Sequence, residues 1–282
     1  MADSKFDIVI PDPNCLGGAA IEAKAETIGV GKTKLAVGRC FALSILAGLF
    51  IGCGALFMLL VKGGADGMPF AASQVLGGLC FSLGLITVIV AGAELFTGNS
   101  LMVCAAMSKK ISWGALVKNW IIVWIGNLVG SLLLVCIIYF ANSAGMNNGG
   151  VGAAMVAVAS SKTGLAPSVI FFRSIMCNFL VCLAVWMGFA GKSVIDKIFT
   201  AIFPVMAFVA CGFEHCVANM FFLPMGFVAQ AAGFGDGGIT IAGICCNIGI
   251  ATIGNIVGGA VLVGLIYWLA YHKKEKAEAA AK

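Results

Sequence analysis

Six long apolar segments alternate with short polar stretches along most of the chain. About 20 apolar residues suffice to cross a bilayer core of roughly 30 Å, and each segment is at least that long. The second and fifth are too long for one straight span, so we predict that a short break divides each into two half-helices. The segments cover approximately residues 36–61, 73–107, 114–141, 166–190, 196–230 and 239–271.

Polar segments flank this apolar block at both ends. Residues 16–34 mix acids with lysines and predict a helix outside the membrane. We therefore divide the chain into an N-terminal helical segment at 1–34, a single transmembrane domain at 35–272 and a tail at 273–282. The first residues include acids, and their apolar run is too short for a signal sequence, so we expect the chain to start in the cytoplasm.

Composition and charge support this arrangement. The 282 residues are 61% hydrophobic and only 10% charged, whereas a soluble domain has about 25% charged residues. Cytoplasmic loops of membrane proteins are enriched in Lys and Arg, so the basic clusters at alternate segment ends predict six spans in the cell membrane, with both termini inside. The opposite face carries only Lys62 and Lys162, and Arg173 lies just inside the fourth span.

One element occurs twice, and it holds the only acids placed deep in apolar segments. Glu94 precedes Asn99 by five residues in AGAELFTGNS, and Glu214 precedes Asn219 by the same distance in CGFEHCVANM. A charged side chain at the bilayer centre costs roughly 2.5–3.5 kcal/mol, so these acids need a structural or functional reason. Polar, Gly-marked breaks at matching points of two halves are typical of a transporter's central site.

A second motif extends the match between the halves. GNLVG, from Gly126 to Gly130, lies in the third span, and GNIVG, from Gly254 to Gly258, lies in the sixth. Each places two glycines four residues apart, which allows membrane helices to pack closely. Spans one to three therefore repeat as four to six, and because three is odd the second copy is inverted in the membrane.

Each break contains residues that could close a passage or bind an ion. Leu95 and Phe96 are bulky enough to plug a passage, and Thr97 adds a hydroxyl. His215 is the only histidine inside a span; we expect it to be neutral at rest and to take or share a proton when an anion arrives. Glu94 and Glu214 are expected to cap half-helices. The alternatives are a kinked structural helix and a structural histidine.

Other polar residues have two interpretations each. Lys162 is predicted at the outer mouth, where a cation attracts anions over about 10 Å; otherwise it is an exposed loop lysine without a role. Three asparagines lie within the spans, namely Asn127, Asn178 and Asn255. We expect one or two of them to line the pathway and the rest to join helices.

Two apparent motifs carry no chemistry. Twelve cysteines lie mostly in apolar segments without any Cys-x-x-Cys pair, so we interpret them as buried apolar residues rather than disulfides or metal ligands. With two histidines, a zinc site is not expected. Gly31-Lys32-Thr33 resembles a phosphate-binding loop, but Glu26 stands where that motif needs glycine. We expect no cofactor, metal, nucleic-acid partner or enzymatic activity.

Longer motifs resemble the formate/nitrite transporter family. AELFTGNS, FEHCVANMFFLPMG and IGNIVGGAVLVGLIYW carry the likeness, which runs from about Phe6 to Tyr271. The resemblance implies an aquaporin-like fold and a homopentamer with one pore in each protomer, embedded in lipid. Formate channels of the family have Asp-Leu-Phe-Thr-Ser where this chain has Glu94-Leu-Phe-Thr-Gly98, and the nitrite and hydrosulfide branches share the Phe-Thr-Gly-Asn pattern.

The resemblance also implies roles for particular residues. Leu95, Phe96 and Thr97 match the loop of the broken second helix, and His215 with Glu214 matches the family's central histidine and preceding acid. Further matches are an outer lysine and two asparagines, at Lys162, Asn178 and Asn255. The implied outer constriction is Phe81 with Phe208, and the inner one is Leu85 with Leu95 and Val181.

These observations predict a channel for small monovalent anions of weak acids, with formate first and nitrite or hydrosulfide next. A hydrosulfide-selective channel of the same family is the alternative. A membrane thiol-redox protein would need paired thiols or a cofactor motif, and an anchoring protein would not need two charged breaks. An aquaporin-type channel for neutral solutes would carry paired Asn-Pro-Ala motifs, which the sequence lacks.

Overall fold

The computed structural model describes residues 14–272, and every regular element in that range is helical. The predicted tail at 273–282 and the first residues of the N-terminal segment lie outside the described residues. The α-helices are α1 Gly18–Thr33, α2 Val37–Gly63, α3 Phe70–Thr87, α4 Val103–Met107, α5 Trp113–Phe140, α6 Gly150–Thr163, α7 Pro167–Ala190, α8 Val194–Ala210, α9 Cys216–Ala231, α10 Ile241–Ile256 and α11 Ile266–Tyr271.

Both predicted breaks are present. A π-helical turn, Val88–Gly92, ends α3, and the chain becomes helical again at Gly98–Met102, which leads into α4. In the second half, α8 ends at Ala210 and α9 begins at Cys216. Each break spans a Gly-x-Glu element, so the prediction of two interrupted segments is confirmed.

Among residues 14–272, five helical stretches are long and apolar enough to cross a membrane by length and composition. They are Val37–Gly63, Phe70–Gly92, Trp113–Phe140, Pro167–Ala190 and Ile241–Tyr271. The predicted fifth span, 196–230, is absent from this set because its break leaves two shorter helices, α8 and α9. The short apolar stretch Gly98–Met107 is the other half-helix, after the first break.

One helix was not predicted. Residues 150–163 form α6, although we interpreted the region before the fourth span as an outer loop. The helix is only 14 residues long and rich in glycine, alanine and serine, so it carries no membrane-length signal. Its counterpart is α1: Lys32-Thr33 and Lys162-Thr163 each end a helix four residues before the next one begins.

The packing repeats between the halves. Helix α1 contacts α4 as α6 contacts α9, and α2 contacts α5 as α7 contacts α10. Helix α2 also contacts α3 as α7 contacts α8, and α3 packs on α8 across the junction of the two halves. Each half therefore consists of a short lead-in helix, two long helices and one interrupted helix. The inverted orientation of the halves in the membrane stays a prediction.

The paired glycine motifs hold the long helices close together. A Cβ atom at Gly130 would lie 2.0 Å from the Ile45 carbonyl oxygen, and one at Gly258 would lie 2.1 Å from that of Ile175. Gly126 and Gly254 face serine side chains, at Ser44 and Ser174, in the same way. These distances leave no room for a side chain, so the glycines allow the α2–α5 and α7–α10 contacts.

Large apolar side chains cover the outer surface of the single chain. Phe70, Trp113, Phe140, Phe172 and Leu269 are each more than half exposed. A soluble monomer rarely exposes so much apolar surface, whereas a membrane protein places it against lipid or neighbouring subunits.

The expectation that the cysteines are buried is only partly met. All twelve are free thiols, but only five are buried, namely Cys40, Cys104, Cys177, Cys182 and Cys216. Cys15 precedes α1, and the other six lie in or next to the apolar helices, where they are exposed or half-exposed on this single chain. A thiol is small and weakly polar, so it suits a lipid-facing position as well as a core.

Candidate functional site

The two breaks share one backbone geometry. Gly92 and Gly212 both adopt positive φ, at +82° and +69°, which ends the preceding helix. Two residues later the chain is held by a neighbouring helix. The Glu94 amide donates to the Leu43 carbonyl at 3.2 Å, and the Glu214 amide donates to the Arg173 carbonyl at 3.4 Å.

A buried asparagine braces each break. The side chain of Asn127 accepts from the Phe96 amide at 2.9 Å and donates to the Ser44 and Glu94 carbonyls. This amide therefore satisfies three backbone groups that a broken helix leaves free. Since unpaired backbone groups are not tolerated in hydrocarbon, such bracing is what allows the break to exist.

The second half repeats this arrangement. The side chain of Asn255 accepts from the Cys216 amide at 2.9 Å and donates to the carbonyls of Ser174 and Glu214, at 2.7 and 2.9 Å. Asn127 and Asn255 stand next to the first glycines of the two paired motifs, so the same stretch of sequence packs the helices and supports the breaks.

The glutamates sit in matched polar clusters. Asn99 donates to Glu94 at 2.8 Å and to Asn119 at 2.9 Å. Asn219 donates to both Glu214 and Asn247 at 2.7 Å. Each carboxylate is therefore fixed by the asparagine five residues after it.

Each glutamate also pairs with a lysine. Lys32 on α1 lies 2.6 Å from Glu94, and Lys162 on α6 lies 2.7 Å from Glu214. Lys162 is thus an ion-paired helix residue, which rules out the alternative of an exposed loop lysine. Our sequence analysis assigned no role to Lys32, although its position before α2 matches that of Lys162 before α7.

A cavity of about 380 Å³ opens beside Lys162, and we call it the Lys162 cavity. It reaches His215 at its inner end and contains three cationic side chains and one carboxylate: Lys62, Lys162, Arg173 and Glu214. Arg173 has no acidic partner among residues 14–272; its Nη1 donates to the Gly212 carbonyl at 3.4 Å.

A second cavity, of about 440 Å³, opens at the opposite ends of α2 and α3, and we call it the Lys32 cavity. It reaches Leu95 and Gly98 of the first break. Its charged lining repeats the pattern of the first cavity, with three cations and one carboxylate: Lys24, Lys32, Lys197 and Glu94. Both cavities therefore present net positive charge to an approaching ion.

Thr97 and His215 join the two breaks between the cavities. The Thr97 hydroxyl lies 3.0 Å from His215 Nε2, and both side chains are buried. His215, rather than Glu214 as we expected, is the N-cap residue of α9, because its Nδ1 accepts the Ala218 amide at 3.0 Å. A neutral ring that accepts at Nδ1 carries its proton on Nε2, so His215 donates and Thr97 accepts.

Apolar side chains close both cavities at this level. The Phe81 and Phe208 rings meet edge to face at 5.7 Å between centroids, and Phe208 stacks on the His215 ring at 5.8 Å. Phe222, which our sequence analysis missed, lies 6.1 Å from Phe81 and faces the Lys162 ammonium at 5.7 Å. Leu95 borders the Lys32 cavity.

Three predicted pathway residues lie beside the cavities rather than in their walls. Leu85 and Val181 are buried in the core and border neither cavity. Phe96 packs edge to face on Trp120 at 6.2 Å and also borders neither. Asn127 holds the Phe96 amide, and the ring packs against Trp120.

Asn178 joins the first break to α10. Its amide donates to the carbonyls of Asn255, at 2.7 Å, and of Thr97, at 3.3 Å, and to the Ser100 hydroxyl at 3.1 Å. Neither cavity is lined by Asn178 or Asn255. Both asparagines therefore position the Thr97–His215 pair from behind.

Two cationic cavities on opposite sides of a buried donor pair define a helical membrane transport protein. The chain belongs to the formate/nitrite transporter family, whose family model matches residues 19–269. The formate channel FocA of Escherichia coli (strain K12) is 40% identical over an alignment of 283 positions that covers 96% of this chain and 97% of that protein.

Solved structures agree with this membership. One described as a pentameric formate channel with formate bound has a TM-score of 0.76 and 41% identity, and the match covers 84% of this chain and 98% of that one. Another, described as an FNT family ion channel, has a TM-score of 0.78 and 29% identity over 89% of this chain and 98% of its own. Both support the helical fold.

Proposed function

We propose that this protein is a membrane channel for small monovalent anions of weak acids, with formate as its main substrate. The observation that carries the proposal is the buried Thr97–His215 pair, which lies between two cationic cavities and supplies hydrogen-bond donors. The relatives named for formate conduction support formate over nitrite or hydrosulfide.

The first step is electrostatic capture. In each cavity the carboxylate is paired with one lysine, which leaves two further cations to attract an anion. The low-dielectric walls of a cleft focus the field and raise the local concentration of the opposite charge. Since both cavities share this charge pattern, anions are captured from either side of the membrane.

The second step is selection at the apolar closures. Phe81 with Phe208 bounds the outer side of the pair, and Leu95 bounds the inner side; Leu85 and Val181 support them from the core. Transfer of a bare ion into such a region costs tens of kcal/mol in the low-dielectric limit. Only an ion that is small, singly charged and able to share a proton can pass.

The third step takes place at His215. The entering anion replaces Thr97 as acceptor for the Nε2 proton, and the Thr97 hydroxyl becomes a second donor to it. A fully charged ring would turn an Nδ1–H toward the Ala218 amide, donor against donor, and would lose that bond. We therefore propose that His215 shares its Nε2 proton with the anion and stays neutral at rest.

The assembly is proposed to be a homopentamer in the cytoplasmic membrane with both termini inside. Apolar side chains on the outer surface, such as Phe70 and Phe140, fit contact with lipid or a neighbouring copy. The distribution of basic residues supports an orientation with the Lys32 cavity on the cytoplasmic side and the Lys162 cavity outside.

Flux measured in proteoliposomes tests the proposed function. Formate, nitrite, hydrosulfide and sulfate are offered in turn at equal concentration, with empty liposomes as the control. We expect formate to pass fastest, nitrite and hydrosulfide to pass more slowly, and sulfate to be excluded because of its second charge. Equal rates for formate and sulfate would contradict selection, and faster hydrosulfide flux would identify the alternative substrate.

Replacement of Leu95 by Ala tests the inner closure. Because the shorter side chain widens the closure, we expect the flux of acetate relative to formate to rise several-fold. The matched control is Leu83→Ala, since Leu83 lies on the same interrupted segment but is 40% exposed at the outer surface. If the Leu95 variant is as selective as the parent, Leu95 does not form the closure.

Replacement of Lys62 by Gln tests electrostatic capture. Lys62 lines the Lys162 cavity, and its hydrogen-bond partners Ser73 and Gln74 are neutral, so its charge is available to anions. We expect formate uptake to fall about two- to fivefold at low ionic strength and to recover at high salt, because salt screens such fields. Lys34→Gln, at an exposed position after α1, is the control, and a salt-independent loss would contradict capture.

A further inference from the structure

A buried acidic pocket joins α1 to the other end of the chain. Glu22 and Glu26 lie one helical turn apart and are only 4% and 2% exposed. Ser108 and Lys110, from the turn between α4 and α5, and His272, after α11, face Glu26. The pocket lies away from the Thr97–His215 pair, and the transport mechanism does not use it.

The contacts of Glu26 are complete. Its Oε1 accepts from the Ser108 hydroxyl and lies 3.3 Å from His272 Nδ1, while its Oε2 contacts the Lys110 ammonium. The Trp268 indole donates to Ser108 at 2.7 Å and stacks on the His272 ring. These contacts fix Ser108 and the imidazole around one carboxylate oxygen.

Glu22 is the incomplete member. Its Oε1 is fully buried and has no hydrogen-bond partner among residues 14–272. Burial and the neighbouring Glu26 raise the pKa of the Glu22 carboxyl to about 7. An unpaired buried carboxyl oxygen is costly, so the pocket lacks a group that would satisfy it.

We propose that this pocket binds one divalent first-row metal ion, such as Mn²⁺ or Zn²⁺, through Glu22, Glu26 and His272. Their ligand atoms all lie within 4.8 Å of one another, and bonds of about 2.0–2.2 Å to one ion would bring them to roughly 3–3.5 Å apart. The ion would take Oε1 of each glutamate and Nδ1 of the histidine, and the contact of Lys110 with Oε2 is kept.

The donor set also suits such an ion. Carboxylate oxygens with one neutral imidazole are typical ligands of Mn²⁺ and Zn²⁺, and the Ser108 hydroxyl or water completes the coordination. We expected no metal site because the sequence has no Cys-x-x-Cys pair and only two histidines. His272 is separated from the two glutamates by most of the chain, and only the fold brings it to them. The ion would fasten α1, whose Lys24 and Lys32 line the Lys32 cavity, to the end of α11.

Electron paramagnetic resonance of Mn²⁺ tests the proposal with the full-length, detergent-solubilised protein carrying no histidine tag. Mn²⁺ is the probe because it avoids the thiolates that the twelve cysteines offer to softer ions. We expect one saturable site per chain. Glu22→Gln and His272→Asn should each weaken binding about tenfold or more, whereas Asp66→Asn, at an exposed loop acid, should bind like the parent.

Two results would overturn the proposal. The first is that the unmodified protein binds no Mn²⁺ saturably, so that the signal of free Mn²⁺ does not fall as protein is added. This measurement requires no variant. The second is unchanged affinity in both Glu22→Gln and His272→Asn. The histidine variant distinguishes the loss of a ligand from misfolding. His272 is partly exposed at the end of its helix, so its replacement leaves no cavity in the core.

Discussion

The Asn255→Ala variant is expected to lose at least about 3 kcal/mol of folding stability and, with it, all formate transport. Its side chain satisfies three buried backbone groups at the second break, on Cys216, Ser174 and Glu214. Each buried group left unpaired costs about 1–3 kcal/mol. The loss is a large part of a stability that is typically only 5–15 kcal/mol.

Thermal unfolding of the detergent-solubilised protein measures this effect, together with the yield of assembled protein. Because the halves repeat, Asn127→Ala should cost a similar amount at the first break. Thr27→Ala is the control, since this exposed hydroxyl bonds only within α1. If the Asn255 variant unfolds at the same temperature as the parent, the breaks do not depend on these braces.

The formate flux of the His215→Phe variant is expected to fall about 10- to 100-fold, although the variant still assembles. A hydrogen bond to a charged group contributes about 1.5–3 kcal/mol, and each 1.36 kcal/mol of barrier is about tenfold in rate. The phenyl ring also leaves the Ala218 amide without its cap, at a cost of about 0.5–2 kcal/mol. Proteoliposome flux and thermal unfolding separate the two effects.

The His215→Asn variant separates proton sharing from full proton transfer. An asparagine caps a helix well and keeps one donor, so we expect an intermediate flux with the pH profile of the parent. If its flux loses the parent's pH dependence, His215 takes the proton fully. The control is Thr27→Ala, whose exposed hydroxyl bonds only within α1, and full flux in His215→Phe would remove His215 from the mechanism.

The sequence was most informative where a residue type is unusual for its surroundings. Glu94 and Glu214 stand out because acids are costly in apolar segments, and their shared spacing to asparagines marks both breaks. His215 follows one of these acids and is the only histidine in a span. The paired glycine motifs at Gly130 and Gly258 predict the close helix contacts that the structure contains.

Other features depend on three-dimensional context. Lys32 lies in a polar stretch where a lysine is ordinary, and only its 2.6 Å contact with Glu94 distinguishes it. Helix α6 is too short and too weakly amphipathic to be recognised alone, although its Lys162-Thr163 ending matches that of α1. The position of the Phe96 ring could not be predicted either, because the spacing of residues in a break does not determine which side a ring faces.

A structure determined with bound formate tests most directly the claim that anions pass between the two breaks. We expect formate between Thr97 Oγ1 and His215 Nε2, within about 3.2 Å of each donor atom, and loss of that density in His215→Phe. Formate bound only elsewhere, for example between neighbouring subunits, with the space at His215 empty, would contradict it.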